Sequence, residues 1–445
     1  MPLAWAIGLL LAVPGASTAS SVVHSDAHFR ATVGERSAKL RGGGKDTNLV
    51  VYRVDASSST DGNYAVRVLD NDPGTRWEAC GQDQYIRFDL GRTQTISSIS
   101  VAFYLGGRQS YAFDVEVTSD VDQRRWTFVG SYRSTQREGP QTFALLRPAS
   151  ARYLRILAKG STTAPGSCNS YSEVRLSGRP YFTADVETGD TAQFSELECS
   201  DKLRQFQITS HPVRQGRFAA RFAERAGDLW PGNNTVRCLA IIGQTNEAAG
   251  DDYYYSMSFY FPAPITTNLL WETHARPEIY TLGDPLSVAP NALIATSTPA
   301  AYDQVATRLS LRLNTGAAVW RDGAWQGWTY SEPDVPLIAP IPIGVWIDII
   351  VHIRFSETNG MVEVWTRTGR RDWPRQPVVQ RVGIPTLQYV PGGLDAKVPA
   401  DIHTSTLYDA IGLYKGGNAA VQEDVVYVDG YAANGSLKEA QAMLR

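Results

Sequence analysis

Short segments in which apolar and polar residues alternate occur along most of the chain. In IRFDLG (86–91), for example, Ile86, Phe88 and Leu90 fall on one face of an extended segment. A period of two residues predicts β-strands with one buried face. Only SLKEAQAML (436–444) has a helical pattern. The predicted fold class is therefore all-β, with two β-sandwich domains in tandem.

The alternating segments are longer beyond residue 180, where we predict the junction between the two domains. RLSLRLN (308–314) places leucines on one face and Arg308 and Arg312 on the other, and WIDIIVHIRF (346–355) places His352 on its polar face. An apolar face packs on a second sheet, whereas a polar face meets solvent or a polar ligand. Several such strands side by side predict a concave polar trough that could hold a polysaccharide chain.

The ends of the chain differ in composition from these two domains. Residues 1–19 combine an apolar run with small residues before a polar stretch, which is typical of a signal peptide, and the run is too short to span a bilayer. We therefore predict a secreted chain with no membrane partner. The predicted segments are a signal peptide at 1–19, a flexible linker at 20–48, a first domain at 49–178, a second domain at 181–435 and a C-terminal tail at 436–445.

The net charge indicates which partners to expect, and the cysteine positions indicate which disulfides to expect. The net charge is −3, so no basic excess is available to displace counterions from phosphates, and nucleic acid is not an expected partner. The chain is expected to act as a monomer. Two of the four cysteines fall in each predicted domain, which makes Cys80–Cys168 and Cys199–Cys238 the simplest pairing, with free thiols as the alternative.

The first domain carries LDNDPGTRWEA (69–79), IRFDLG, ARYLRI (151–156) and NSYSEVRLSG (169–178) in that order. In these motifs it resembles the discoidin or coagulation-factor C-type domain, which implies an eight-strand jelly roll that binds glycans through loops at one end. The resemblance also implies a structural Ca²⁺ at the turn containing Asp70, Asp72 and Thr75, with Glu173 as a late acidic ligand. The alternative is that these residues simply form a turn, since Asp, Asn, Pro and Gly are favoured in turns.

The second domain carries motifs that include ETGD (187–190), NTVRCLA (234–240), LLWETHARP (269–277) and YDAIGLYKGG (408–417). Their order resembles the jelly-roll polysaccharide lyases of the heparin-lyase-I and glucuronan-lyase type. The resemblance implies a concanavalin-like sandwich that cleaves a uronic-acid polymer by β-elimination. It implies no organic cofactor.

Elimination next to a carboxylate needs a group that neutralises the carboxylate, a base for the C5 proton and an acid for the leaving O4. On the family's motifs these roles fall on Arg237, His274 and Tyr414 respectively. The family's lysine is replaced by Ala410, which makes a sulfated substrate less expected. Lys415 follows Tyr414 but should point to the opposite face.

Other polar residues of the second domain allow two readings. Arg308 and Arg312 could bind uronates or form a solvated polar face. His352 competes with His274 as a substrate-contacting histidine, but its neighbours also suit an ordinary polar network. Glu187 and Asp429 begin and end the domain, and they could share a structural Ca²⁺ or be plain surface acids.

We therefore expect a secreted polysaccharide lyase, targeted to its substrate by an N-terminal glycan-binding domain. The expected partner is a polyuronate or another acidic polysaccharide. The alternative is a non-catalytic glycan-binding or adhesion protein with two lectin-like jelly rolls. The chain shows no G-x-S-x-G elbow, no H-E-x-x-H helix and no phosphate-binding loop.

Overall fold

The computed structural model describes residues 46–120, 122–161, 168–231, 234–266, 268–275, 291–297, 305–321, 324–393, 400–403, 407–415 and 423–445. All of them belong to one compact unit. The predicted signal peptide and almost all of the predicted linker lie outside the described residues. None of the helices in the described part of the chain is long and apolar enough to cross a membrane.

The first eight strands form one sheet. They are β1 Thr47–Asn48, β2 Arg53–Ala56, β3 Trp77–Cys80, β4 Tyr85–Phe103, β5 Tyr111–Thr118, β6 Thr127–Arg133, β7 Pro140–Ser161 and β8 Cys168–Arg179. The strand order is β1-β8-β4-β7-β5-β6, with β2 paired to β4 and β3 to β8. A short 3₁₀ helix spans Ala65–Leu69. Register shifts between the long strands β4 and β7 bend the sheet around its own apolar core.

The alternation predicted for the first domain is confirmed. Ile86, Phe88 and Leu90 are buried in the core of this sheet, together with Phe113 and Val115 of β5. Burial of large apolar side chains from both halves of the bent sheet is what holds the sandwich together.

The remaining strands form two further sheets. They are β9 Glu196–Cys199, β10 Phe206–Thr209, β11 Ala219–Glu224, β12 Leu229–Trp230, β13 Thr235–Ile242, β14 Asp252–Tyr260, β15 Asn268–Ala275, β16 Ala292–Ser297, β17 Arg308–Arg321, β18 Ala324–Ile338, β19 Trp346–Arg354, β20 Gly360–Thr368, β21 Val379–Ile384, β22 Gln388–Val390, β23 Ile402–His403, β24 Leu407–Lys415 and β25 Asp424–Asn434. Two helices, α1 Lys202–Gln205 and α2 Leu437–Met443, accompany them.

The two sheets pack face to face over one large core. The seven-stranded sheet has the order β10-β11-β25-β14-β19-β20-β21. The ten-stranded sheet has the order β12-β13-β24-β15-β16-β17-β22-β23, with β18 paired to β17 and β9 to β13. Apolar side chains of both sheets, such as Trp271 and Phe259, interdigitate in the core. The protein is thus all-β with two sandwiches in tandem, as predicted.

One prediction about the trough is wrong. The sequence placed the polar faces of 308–314 and 346–355 side by side, but β17 belongs to the ten-stranded sheet and β19 to the seven-stranded sheet. Since the leucines of β17 and the isoleucines of β19 both point into the shared core, their polar faces point away from each other. Only the outward face of the ten-stranded sheet, called the outer face below, carries Arg308 and Arg312.

Two disulfides are present and match the predicted pairing. Cys80 is bonded to Cys168, and Cys199 to Cys238. In each case the two cysteines are direct partners on neighbouring strands, so each bond closes the end of a ladder. The predicted C-terminal helix is confirmed as α2, whose N-cap Ser436 accepts a hydrogen bond from the Glu439 amide.

The two sandwiches contact each other through polar groups. Arg92 forms an ion pair with Asp251 at 2.7 Å, and the Thr93 hydroxyl donates to the Gly243 carbonyl at 2.6 Å. The Gln244 side chain accepts from Arg152 and donates to the Ser119 carbonyl. The first domain is therefore tied directly to the strand end of β13 in the second.

Candidate active site

The three predicted catalytic residues lie on three adjacent strands of the ten-stranded sheet. β24 lies between β13 and β15, and Arg237 of β13 is the direct partner of Tyr414 on β24. On the other side of β24, Tyr414 is opposite Leu269, and His274 is opposite Tyr408. Apolar residues of the outer face surround this region, namely Leu239, Ile241, Leu269, Leu293, Ala295 and Ala410.

Arg237 is held in place by contacts on both sides. Its guanidinium lies over the Tyr414 ring, 4.5 Å from the ring centroid, and donates to Glu198 at 2.6 Å. Glu198 is on β9, next to the cysteine that is bonded to Cys238 of β13. A glutamate of the neighbouring strand therefore holds the Arg237 guanidinium beside Tyr414.

His274 is oriented by its own strand and by Tyr408. Its Nδ1 lies 2.6 Å from the Ala275 carbonyl, which can only accept, so Nδ1 carries the proton. The neutral imidazole therefore has its lone pair on Nε2, as a general base requires. The ring stacks on that of Tyr408 at a centroid distance of 5.0 Å and an interplanar angle of 18°. His274 is 8% exposed.

The structure does not bring His274 and Tyr414 into contact. Tyr414 is opposite Leu269, five residues before His274, which at about 3.3 Å per residue corresponds to about 17 Å between strand positions. The phenol next to His274 is that of Tyr408, which sequence reasoning did not select. The alternation of β24 could have pointed to it, because Tyr408 and Ala410 occupy one face at a spacing of two.

Glu272 is a second residue of this face that the sequence did not reveal. It precedes His274 by two positions, and its direct partners are Ala410 and Leu293. It is 4% exposed, and burial raises its pKa to about 8. The nearby Glu198 adds to this rise, whereas Arg237 and a hydrogen bond from Tyr408 oppose it. At neutral pH the Glu272 carboxyl is therefore largely protonated.

The two predicted substrate-binding arginines share the outer face but differ in their contacts. Arg312 is the direct partner of Leu293, so it lies two strands from Glu272. Its Nε is buried without a hydrogen-bond partner among the described residues. Arg308 is already engaged, because it forms an ion pair with Asp334. Of the two, Arg312 has more capacity left for an anionic ligand.

The prediction that His352 contacts the substrate does not fit the structure. His352 lies on β19 of the seven-stranded sheet, on the opposite side of the sandwich from His274. Both its ring nitrogens are engaged, with Asp252 and with Glu363, and the ring stacks on Tyr254 at 3.9 Å. The alternative reading of an ordinary polar network describes these contacts.

Lys415 points into the core, as predicted from its position after Tyr414. Its ammonium group lies 2.7 Å from Asp424 and 3.4 Å from Glu224, and all three side chains are fully buried. Burial raises the pKa of Glu224 to about 8, against the opposing effect of Lys415. This buried cluster ties β24 to β25 and β11 directly behind Tyr414.

The predicted calcium ligands of the first domain lie around one turn. The Thr75 hydroxyl lies 2.8 Å from Asp70 Oδ2 and 3.1 Å from the Asp72 carbonyl, while the Asp72 carboxylate itself accepts from the Gly74 amide. Glu173 has one carboxyl oxygen buried without a partner, and burial, followed by the charge of Asp70, raises its pKa. The turn thus gathers several oxygens, and Arg67 forms an ion pair with Asp70 at 3.5 Å.

Glu187 and Asp429 are engaged by amides of one loop. The Glu187 carboxylate accepts from the amides of Arg217 and Phe218, and Asp429 accepts from the amides of Arg214 and Gln215. Amide donors of this loop are thus directed at both carboxylates, and burial still raises the pKa of Asp429 to about 8. No group of three or more His, Cys, Asp or Glu side chains in the described ranges converges as metal ligands would.

Comparison with known proteins identifies both domains. Residues 53–174 match the F5/8 type C domain, and residues 186–432, more than half of the chain, match the polysaccharide lyase family. No curated protein matches the chain.

Among solved structures, the chain is similar to the CBM32 of AlyQ in complex with 4,5-unsaturated mannuronic acid, with 31% identity over 29% of this chain and 97% of that one and a TM-score of 0.27. It is similar to truncated AlyQ with CBM32 and alginate lyase domains, with 16% identity over 88% and 99% and a TM-score of 0.29. It is also similar to the endo-β-1,4-glucuronan lyase of the fungus Trichoderma reesei, with 14% identity over 56% and 93% and a TM-score of 0.39. By the family match over its second domain, the chain belongs to the polysaccharide lyases and carries an F5/8 type C carbohydrate-binding domain in front of the lyase domain.

Proposed function

We propose that this polysaccharide lyase cleaves a uronic-acid polymer by β-elimination on the outer face of its ten-stranded sheet. The observation that carries the proposal is that one face presents a histidine whose Nε2 holds the lone pair and, two strands away, the Arg312 cation with an unpartnered Nε among the described residues. A uronate needs both a base for its C5 proton and a cation near its carboxylate.

In the proposed reaction His274 Nε2 removes the C5 proton, and the electron pair of that bond forms the C4–C5 double bond. The bond from C4 to O4 breaks, and a phenol returns a proton to the leaving O4. Arg312, two strands from His274 on the same face, stabilises the negative charge that builds up on the carboxylate, and Arg237 beside Tyr414 binds the carboxylate of another sugar unit of the chain. The products are a chain whose new non-reducing end is the unsaturated uronate and a chain whose new reducing end carries the protonated leaving oxygen.

Two tyrosines are candidates for the acid. Tyr414 is the residue that the family motif assigns, and it lies under the Arg237 cation. Tyr408 is favoured by its direct stacking on His274. Replacing each by phenylalanine in turn removes one hydroxyl while keeping the ring, and the variant whose turnover falls at least 10²-fold identifies the acid.

The function is tested by following the ultraviolet absorbance of the conjugated double bond with alginate and polyglucuronate as substrates. We expect a rise with at least one of them for the wild type and none for His274→Ala, at an unchanged melting temperature. If no polyuronate gives a rise while glycan binding is retained, the alternative of a non-catalytic glycan-binding protein replaces this proposal.

We further propose that the chain is exported. The apolar N-terminal run and two disulfides support this, because disulfides persist in oxidising compartments. Expression of the full chain in its host should yield a mature protein that lacks residues 1–19, which N-terminal sequencing of the culture medium would reveal.

We also propose a structural Ca²⁺ in the first domain. The oxygens of Asp70, Thr75 and Glu173, with the Asp72 carbonyl, would hold it, and the unpartnered Glu173 oxygen supports the fit. Such an ion stabilises the turn and takes no part in elimination. Ca²⁺ should raise the melting temperature of the wild type but not that of Asp70→Asn, and equal shifts in both would refute the site.

A further inference from the structure

We propose that Glu272 is a positioning residue of the lyase site, whose carboxyl holds the Tyr408 ring against His274 and must be protonated for an acidic sugar to bind. This inference rests on the proposed function and adds to it a positioning residue and an upper pH limit for substrate binding. The roles of base, acid and carboxylate-binding residue assigned above do not include Glu272.

The geometry connects Glu272 to the reacting groups by direct contacts. It lies on the outer face two positions before His274, so both side chains point the same way from β15. The Tyr408 hydroxyl donates to the Glu272 carboxyl, and the Tyr408 ring stacks on His274. Loss of the carboxyl would therefore release the ring that packs against the proposed base.

The surroundings of Glu272 explain why its charge matters. Its strand partners Ala410 and Leu293 are apolar and buried, and no described residue forms an ion pair with it. An ionised carboxylate in such a place is strongly disfavoured unless it is paired. It would also repel the carboxylate of a uronate bound over the same face. A protonated carboxyl keeps the hydrogen bond to Tyr408 and adds no charge.

Some of the charged groups around Glu272 raise the pKa of its carboxyl and others lower it. Arg237 of β13 favours its ionised form, whereas Glu198 of β9 opposes it, and burial outweighs both. The titratable and charged groups on the elements around it are Arg237, Glu198, His274, Arg312, Tyr408, Asp409 and Tyr431. Together they leave the pKa of Glu272 at about 8.

The pH dependence of substrate binding tests the proposal. If the protonated form is required, the KM of the wild type on polyglucuronate or alginate should rise about tenfold between pH 7 and pH 9, as expected for one group with a pKa of about 8. Glu272→Gln keeps an uncharged hydrogen-bonding group, so its KM should stay flat over this range. Glu272→Leu should lower kcat at least tenfold at pH 7, because Tyr408 loses its partner.

Glu363→Gln is the matched control, because it removes a carboxylate of the same domain from the opposite sheet. Its KM should keep the rise of the wild type. A KM rise of unchanged size in Glu272→Gln, or wild-type kcat in Glu272→Leu, would overturn the proposal.

A binding measurement separates this inference from the proposed function. Calorimetric titration of wild type and Glu272→Gln with a uronate oligosaccharide, each carrying His274→Ala, reports affinity without turnover. Weaker binding at pH 9 only where Glu272 is present supports its role even if the unmodified protein shows no elimination. Affinities independent of pH in both proteins refute it, whether or not the wild type is a lyase.

Discussion

The ion pairs of the first domain lie on the outside of its sheet, whereas several in the second lie inside the sandwich. Arg87 and Asp55 of the first domain keep 28% and 29% of their side chains exposed, but Lys415, Glu224 and Asp424 of the second keep none. Arg214 and Asp348 form another buried pair in the second domain. Buried charges cost desolvation energy and are destabilising when one partner is lost.

This difference shows that the second domain, unlike the first, contains fully buried ion pairs. The Lys415 cluster lies behind Tyr414, and the protonated Glu272 lies beside the proposed base, so the strands of the site are fixed by polar groups on both faces. The first domain is built around a large apolar cluster, and none of the ion pairs in its described part is fully buried. Four changes test this difference between the domains, and they are given in order of decreasing expected effect.

The largest effect is expected for Lys415→Met. The change leaves Glu224 and Asp424 buried without their cation, which should lower the free energy of unfolding by about 3–5 kcal/mol. Arg87→Met in the first domain should cost about 1 kcal/mol or less, because its pair is partly solvated. Urea unfolding of both variants measures the difference. Equal losses would mean that the burial of these charges has no energetic consequence.

The second-largest effect is expected for the loss of a disulfide. Each domain contains one, so the two losses can be compared. Replacing Cys199 and Cys238 by serine should destabilise the second domain by about 2–4 kcal/mol and also lower turnover, because Glu198 next to Cys199 holds Arg237. Replacing Cys80 and Cys168 should destabilise the first domain by a similar amount and leave turnover on a short oligosaccharide unchanged. Scanning calorimetry with an activity assay separates the two. Equal turnover in both variants would argue against any influence of the Cys199–Cys238 bond on the site.

Much of this fold follows from the sequence because alternation reports which face of a strand is buried. The leucines of β17, the helix after Ser436 and the pairing of Cys199 with Cys238 were all predicted from local pattern or from domain membership. Alternation does not report which sheet a strand joins, since that depends on partners far away in the chain. This is why His352 was placed on the wrong side of the sandwich.

The site was only partly predictable for the same reason. The strand motifs led to Arg237, His274 and Tyr414, and the structure places all three on adjacent strands of the ten-stranded sheet but brings only Arg237 and Tyr414 together. The pairing of His274 with Tyr408 depends on the register between two strands that are more than a hundred residues apart. The protonation of Glu272 depends on burial, which no local pattern reports.

The third effect is a pH dependence of stability. The pKa of Glu272 in the folded state is about 8, above its ordinary value of 4.5, so the folded protein holds a proton that the unfolded chain releases between these values. Its contribution to stability is therefore lost as the pH rises from about 4.5 to about 8. Glu272→Gln should gain about 2 kcal/mol relative to the wild type between pH 4 and pH 6.

Glu116→Gln in the first domain is the control for this measurement, because Glu116 is paired with Arg155 at a partly exposed site. Its stability relative to the wild type should change little over the same range. If Glu272→Gln behaves like Glu116→Gln in urea unfolding at both pH values, Glu272 is ionised in the folded protein and the comparison of the two domains loses one of its main features.

The smallest effect concerns the contact between the domains. Arg92 and Asp251 form a pair whose side chains remain 31% and 23% exposed, so it resembles the surface pairs of the first domain more than the buried clusters of the second. Arg92→Met should therefore lower the free energy of unfolding by about 1 kcal/mol or less, and added salt should reduce the loss further. The hydrogen bonds of Thr93 and Gln244 still connect the domains in this variant. Scanning calorimetry at low and high salt measures the change, and a salt-independent loss of several kcal/mol would place this pair with the buried charges of the second domain.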